Sequence, residues 1–181
     1  MNKNVIKVLE DKRVYLRRIE SSDVDYFLQS VSNPEIRRLT GTTAFFTHAK
    51  IEAFLEQITT DSSRIDLIIA LQENDQVIGD LAILDVDHQQ RNGSFRIAIT
   101  DERYMSKGYG TEALRLIIDY MFNTLNLRRI GINVYAYNSR AIKAYEKLGF
   151  VQEGILREEL YYDGQYYDNI LMGLLKSEYR K

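Results

Sequence analysis

Met105-Ser106-Lys107-Gly108-Tyr109-Gly110-Thr111-Glu112-Ala113 is a glycine-bearing turn set between two segments of different periodicity. Before it, Ser94-Phe95-Arg96-Ile97-Ala98-Ile99 alternates, with Phe95, Ile97 and Ile99 on one side, the two-residue period of a strand. After it, Leu114, Ile117, Ile118, Met121, Phe122 and Leu125 recur every three or four residues, the single apolar stripe of a helix. Glycine admits positive φ and lets a backbone approach a ligand closely. The first turn of a helix offers unpaired N–H groups and a positive dipole end, so an anion placed there gains several hydrogen bonds at once. Plain tight turns also carry Gly-x-Gly, and the turn alone leaves both readings open.

Two nucleotide-binding patterns can be tested on the same residues. A dinucleotide fingerprint tolerates Ala113 as its third small residue but needs an acid at the end of the next strand. That strand ends in Ala136-Tyr137-Asn138, with no such acid. A Walker loop needs four residues between its glycines and then Lys-Ser/Thr, which the turn lacks.

Outward from the turn, strands and helices follow without repeats or low-complexity tracts. Val14 to Ile19 alternates as a strand, and Ser22 or Asp23 caps a helix carrying Val24, Phe27, Leu28 and Val31. That helix stops at Ser32-Asn33-Pro34, a loop spans Thr40 to Thr43, and a second helix covers His48 to Ile58. Asp66 to Leu71, Val77 to Leu84 and Ser94 to Ile99 read as consecutive antiparallel strands. Ile130, Ile132, Val134 and Ala136 form another, and Asn138 or Ser139 caps a short helix that Gly149 ends. Leu156 to Leu175 is a hairpin about Asp163-Gly164. The order predicts an α/β (α+β) fold: one mixed, mostly antiparallel central sheet flanked by helices, in a single domain over residues 1–181.

Composition narrows the chemistry. With 181 residues, 45% of them hydrophobic and 28% charged, the chain can bury one sizeable core. A net charge of -2 gives no basic footprint for nucleic acid. Cysteine is absent, which removes disulfides, thiolate catalysis and thiolate-bound zinc. His48 and His88 are too scattered for a histidine metal site, so no metal is expected. Met1 to Lys7 lacks the apolar run of a signal peptide, and no stretch approaches a membrane span. The expected setting is cytoplasmic.

From Gly93 to Phe150 the sequence resembles the GNAT superfamily of N-acetyltransferases. Gly108 and Gly110 meet its pyrophosphate-loop pattern Gln/Arg-x-x-Gly-x-Gly/Ala, with Met105 at the Gln/Arg position as a departure. Asn138-Ser139-Arg140-Ala141-Ile142-Lys143-Ala144-Tyr145-Glu146-Lys147-Leu148-Gly149-Phe150 looks like the superfamily's Asn-x-x-Ala-x-x-x-Tyr-x-Lys-x-Gly-Phe helix. The N-terminal elements and the tyrosine-rich tail look most like the branch of ribosomal-protein N-terminal and spermidine/spermine acetyltransferases.

The resemblance implies acetyl-CoA as co-substrate and direct attack of a primary amine on its thioester. It puts the pantetheine arm along Ile97, Ala98 and Ile99, and the pyrophosphate on Met105, Ser106, Lys107, Gly108, Tyr109, Gly110 and Thr111. Asn138 would touch the arm and Ala141 would begin the helix lining the acetyl end. Such chemistry needs a general acid, oxyanion donors and a base. Tyr145 matches the family's proton donor to the leaving thiolate; a core aromatic is the other reading. Asp80 stands where many relatives carry an acid and is the candidate base, with a solvent-facing strand residue as the alternative. Asp85, in a loop with Asp87 and His88, and Glu35 and Thr42, where the superfamily closes over the acceptor, are candidate substrate contacts. Polyamines and peptide N-termini are the expected acceptors, with amino sugars or antibiotics and a non-catalytic coenzyme A sensor as alternatives. The acidic, tyrosine-rich hairpin suits either a cationic amine or a homodimer interface.

Overall fold

The computed structural model describes residues 6–61 and 63–180; the reading of residues 1–5 as no signal peptide lies outside them. Eight strands form one sheet in the order β1-β2-β3-β4-β5-β6-β8-β7. They are β1 (Lys7–Glu10), β2 (Val14–Arg18), β3 (Ile65–Leu71), β4 (Val77–Asp87), β5 (Asn92–Ile99), β6 (Arg129–Tyr135), β7 (Val151–Tyr162) and β8 (Gln165–Leu175). Five α-helices accompany them: α1 (Val24–Ser32), α2 (Pro34–Thr40), α3 (His48–Thr60), α4 (Tyr109–Asp119) and α5 (Ser139–Lys147).

The alternation in each strand sorts its side chains between two cores. Leu67, Ile69, Leu81, Ile83, Phe95, Ile130 and Ile132 pack with the apolar stripe of α4 and with Tyr145 and Leu148 of the α5 region. Tyr15, Ile68 and Ala70 pack on the other face with Phe27 of α1 and Ile51, Leu55 and Ile58 of α3. The hairpin turn needs positive φ at both central residues, and Asp163 and Gly164 supply it at 49° and 79°.

Two elements were not anticipated. One is β1 at the sheet edge. The other is α2, where a loop was expected after Pro34. Its signals are terminal rather than periodic: the Asn33 side chain accepts from Ile36 N at 3.1 Å, Pro34 opens the first turn, and Gly41 (φ 64°) closes the last.

Every neighbouring pair is antiparallel except β5 and β6. Those two run parallel and pair only at Asn92↔Arg129, Gly93↔Ile130 and Ser94↔Gly131. Beyond Ser94 they part. The remaining backbone of β5, Phe95 to Ile99, therefore has no ladder partner on that side, and neither has β6 from Ile132 to Tyr135. No helix among the described residues is long and apolar enough to cross a membrane.

Candidate active site

The parting of β5 from β6 opens a cleft of about 590 Å³, closed over by α2, the glycine turn and α5. Ile97, Ala98 and Ile99 form one wall with free backbone groups, which an extended ligand can bond as a further strand would. The turn between β5 and α4 forms the end wall. Ser106 (φ 59°) and Gly108 (φ 87°) are both left-handed, so the chain coils tightly before α4 begins. Ser106 bears that conformation without being glycine, a local strain of the kind concentrated at functional sites. Successive N–H groups in such a turn, continued by the first turn of α4, form an anion cradle.

Of the twelve residues expected to hold the coenzyme, ten line the cleft: Ile97, Ala98, Ile99, Met105, Ser106, Gly108, Gly110, Thr111, Asn138 and Ala141. Lys107 and Tyr109 do not. The Lys107 carbonyl accepts from Arg13 Nη1 at 3.1 Å, and Tyr109 packs edge-on against Tyr104 with ring centroids 5.3 Å apart. Asn138 Oδ1 caps α5 by accepting from Ala141 N at 3.2 Å. Arg140, Lys143 and Lys147 also line the cleft, which has no acidic side chain in its walls among the described residues. Sequence reasoning passed over these three, although their spacing of three and four along α5 puts them on one side.

Tyr145 lies where the two strands begin to part. Its ring meets Phe95 edge-on at 6.0 Å and it is 5% exposed, yet it lines the cleft. Burial holds its phenol well above the ordinary tyrosine value, so it keeps its proton through neutral pH. Tyr145 thus contributes a protonated phenol to the walls of the cleft.

Asp80, the expected base, lies apart from the cleft. It is 2% exposed. One oxygen accepts from Tyr26 Oη at 3.1 Å and the other from Arg96, whose second nitrogen reaches Asp66 at 3.4 Å. Arg64 clasps Asp66 at 2.6 and 2.7 Å. Two carboxylates and two guanidiniums thus close an ionic cluster beneath β5, apart from the cleft.

The other candidate contacts are scattered. Glu35 pairs with Arg38 at 3.0 and 3.1 Å, and the Arg38 hydrogen bond holds its carboxyl below the usual range. Thr42 shares a hydrogen bond with Thr40 at 2.7 Å. Neither Glu35 nor Thr42 lines the cleft, whereas Thr40 does. Asp85 (φ 53°) sits at an irregularity of β4 and accepts from Ser94 Oγ at 2.5 Å, beside the last residue pair joining β5 to β6.

Tyr135 pairs with Asn169, and the register carries Gly131, Tyr135 and Asn169 to the face opposite α5. On that face Tyr135 stacks on Tyr137 at 5.7 Å, Tyr137 meets Tyr167 at 4.8 Å, and Asn169 Nδ2 donates to Glu159 at 3.3 Å. The Tyr137 hydroxyl donates to the Arg38 carbonyl, tying α2 to this wall. Burial, then the charge of Glu159, raises the Tyr135 phenol above its ordinary value.

A sheet split beside a glycine turn that opens a helix, with a buried tyrosine among the walls of the gap, is the architecture of an acyl-coenzyme A-dependent transferase. Residues 13–151 match the Acetyltransferase (GNAT) domain family, and the chain belongs to that family. It is an N-acetyltransferase that uses acetyl-CoA. It is 32% identical to an uncharacterized N-acetyltransferase of Bacillus licheniformis, over 96% of this chain and 99% of that one. It is 30% identical to spermidine N(1)-acetyltransferase of Escherichia coli, covering 92% of this chain and 88% of the relative. The structure of spermidine N-acetyltransferase from Vibrio cholerae in complex with CoA and spermine superposes with a TM-score of 0.87 at 25% identity. That likeness covers 93% of this chain and 99% of the other.

Proposed function

We propose that this enzyme acetylates a primary amine of a polyamine such as spermidine. The observation that carries the reading is the wall of Tyr135, Tyr137 and Tyr167 with Glu159, on the face opposite α5. Aromatic faces and a carboxylate suit an alkylammonium chain through cation–π and charge contacts. Full-length likeness to a spermidine acetyltransferase supports it.

In this reading residues 1–181 work as one cytoplasmic domain. The coenzyme lies along Ile97 to Ile99 with its pyrophosphate on the turn from Ser106 to Thr111, and the cations of α5 add charge favourable to phosphate. The amine gives its ammonium proton to water and attacks the thioester carbonyl, and the N–H groups of β5 near Ile99 take the oxyanion. Collapse breaks the C–S bond as Tyr145 protonates the departing thiolate. The new amide nitrogen releases its proton to water, and water restores the Tyr145 phenol. Asp85, fixed by Ser94, meets the incoming ammonium, while Glu35 and Thr42 act from α2 through Arg38 and Thr40. The exposed β7 strand joins two copies as a homodimer.

The test is thiol release from acetyl-CoA with spermidine, spermine, an aminoglycoside and a short peptide bearing a free N-terminus. The expected order puts spermidine ahead of the peptide by at least about a hundredfold in kcat/KM, the worth of two ordinary charge contacts. A peptide or aminoglycoside preferred over both polyamines would overturn it.

A further inference from the structure

Arg13 stands just before β2, far from the cleft in sequence, and touches the anion-cradling turn from behind at several points. Its Nε donates to Glu112 Oε2 at 2.7 Å, and its Nη1 donates to the Lys107 carbonyl at 3.1 Å. Its guanidinium lies over the Tyr109 ring, 4.4 Å from the centroid. A Cβ on Gly108 would stand 3.2 Å from its Nη2, so the turn rests against the guanidinium. Glu112 completes the brace: its Oε1 accepts from the backbone N–H of Arg13 at 2.7 Å and of Val14 at 3.2 Å. The side chain of Glu112 is 11% exposed, against 46% for Arg13.

Two physical consequences follow from that arrangement. Lys107 lies between the left-handed residues Ser106 and Gly108, and holding its carbonyl outward fixes the peptide plane that aims the neighbouring N–H groups. Glu112 also sits in the first turn of α4, where an uncompensated carboxylate would repel a second anion. Arg13 cancels that charge through a charge-assisted hydrogen bond and leaves the helix end free to attract phosphate.

The geometry points to Arg13 as a positioning residue for coenzyme selection. It holds the turn in its anion-binding shape and neutralises Glu112, so that the enzyme reads the pyrophosphate of the donor. This rests on the acetyl-CoA reading of the cleft. Arg13 does not itself line the cleft and acts only through the turn that forms its end wall, so its effect is confined to donors that carry the pyrophosphate.

Acetyl-CoA and acetyl-pantetheine, which carries the same thioester without the pyrophosphate, separate this role from a general structural one. Arg13→Met should lower kcat/KM for acetyl-CoA about tenfold through KM, the scale of one charged hydrogen bond. It should leave kcat, the amine KM and kcat/KM for acetyl-pantetheine unchanged. Arg13→Lys keeps the charge but not the planar fork. It should fall between wild type and Arg13→Met on acetyl-CoA alone, which keeps the test available if Arg13→Met folds poorly. Equal losses on both donors, or no loss on acetyl-CoA, would overturn the proposal. Calorimetric titration of the wild type with coenzyme A reads the underlying assignment separately, since failure to bind would count against the cleft itself.

Discussion

Tyr145 combines a chemical group with a packing role, and the two can be taken apart by one atom. Tyr145→Phe keeps the ring against Phe95 and Phe150 and removes only the proton donor. We expect kcat to fall by about 10²–10³ with the coenzyme KM unchanged, the range for loss of a general acid; a kcat within twofold of wild type would remove Tyr145 from the mechanism. Burial raises its phenol, so the alkaline limb of the rate should not begin at the ordinary tyrosine value near 10.

Tyr15 offers a second residue-scale test, on stability. Burial, then its hydrogen bond to Asp75 at 2.9 Å, pushes its phenol to about 12. The unfolded chain ionises this group near pH 10, so the folded state holds the proton longer. The stabilisation is whole below about pH 10 and is lost as pH rises toward 12. Tyr15→Phe should therefore flatten the fall of the denaturation midpoint between pH 9 and 11; an unchanged slope would assign that fall elsewhere.

Residues of this kind differed in how far the sequence revealed them. Asn138 and Tyr145, on α5 and its N-cap, were named through one short motif, and both line the cleft. Arg13 acts across 94 residues on Lys107, and no local pattern records that contact. The surroundings of Asp80 are not legible in the sequence: Asp66 and Arg96 arrive from neighbouring strands, and only the register reveals a closed ionic cluster.

At the scale of elements, periodicity did well wherever an apolar stripe was long enough. The α4 stripe, the β3–β4–β5 run and the hairpin about Asp163-Gly164 stand as read, with α4 passing into a π-helical turn over Tyr120–Thr124. α2 failed because seven residues carry only Ile36 and Leu39 as apolar periodic positions, while its identity rests on Asn33, Pro34 and Gly41. Gly41 also makes the helix fit. A Cβ there would lie 2.7 Å from the Tyr135 ring, on a backbone at φ 64°. Gly41→Ala should cost about 1 kcal/mol or more in chemical denaturation and raise the amine KM, since α2 must move off the tyrosine wall. A stable variant with wild-type amine KM would separate α2 from the acceptor.

Across the whole molecule, the outer strand β7 is twelve residues long and leaves Val151 57% and Ile155 49% exposed. Edge strands of that length and character invite pairing. Ile155→Lys should lower the molar mass seen by light scattering from dimer to monomer without changing the folding midpoint; a monomeric wild type would reject the dimer.

The parting of β5 from β6 has a mechanical consequence. Within the sheet, three ladder pairs join the five strands on one side to the three on the other, so the sheet is two plates on a short seam over a shared core. A ligand bonded to the free rim of both plates would rivet them. Saturating coenzyme A should slow hydrogen exchange at Ile97 to Ile99 and Ile132 to Tyr135 together, and sharpen thermal unfolding into a narrower transition, as ligand binding adds stability to the joined state. The cleft is then also a seam at which a bound ligand adds to the cohesion that the shared core gives the two plates.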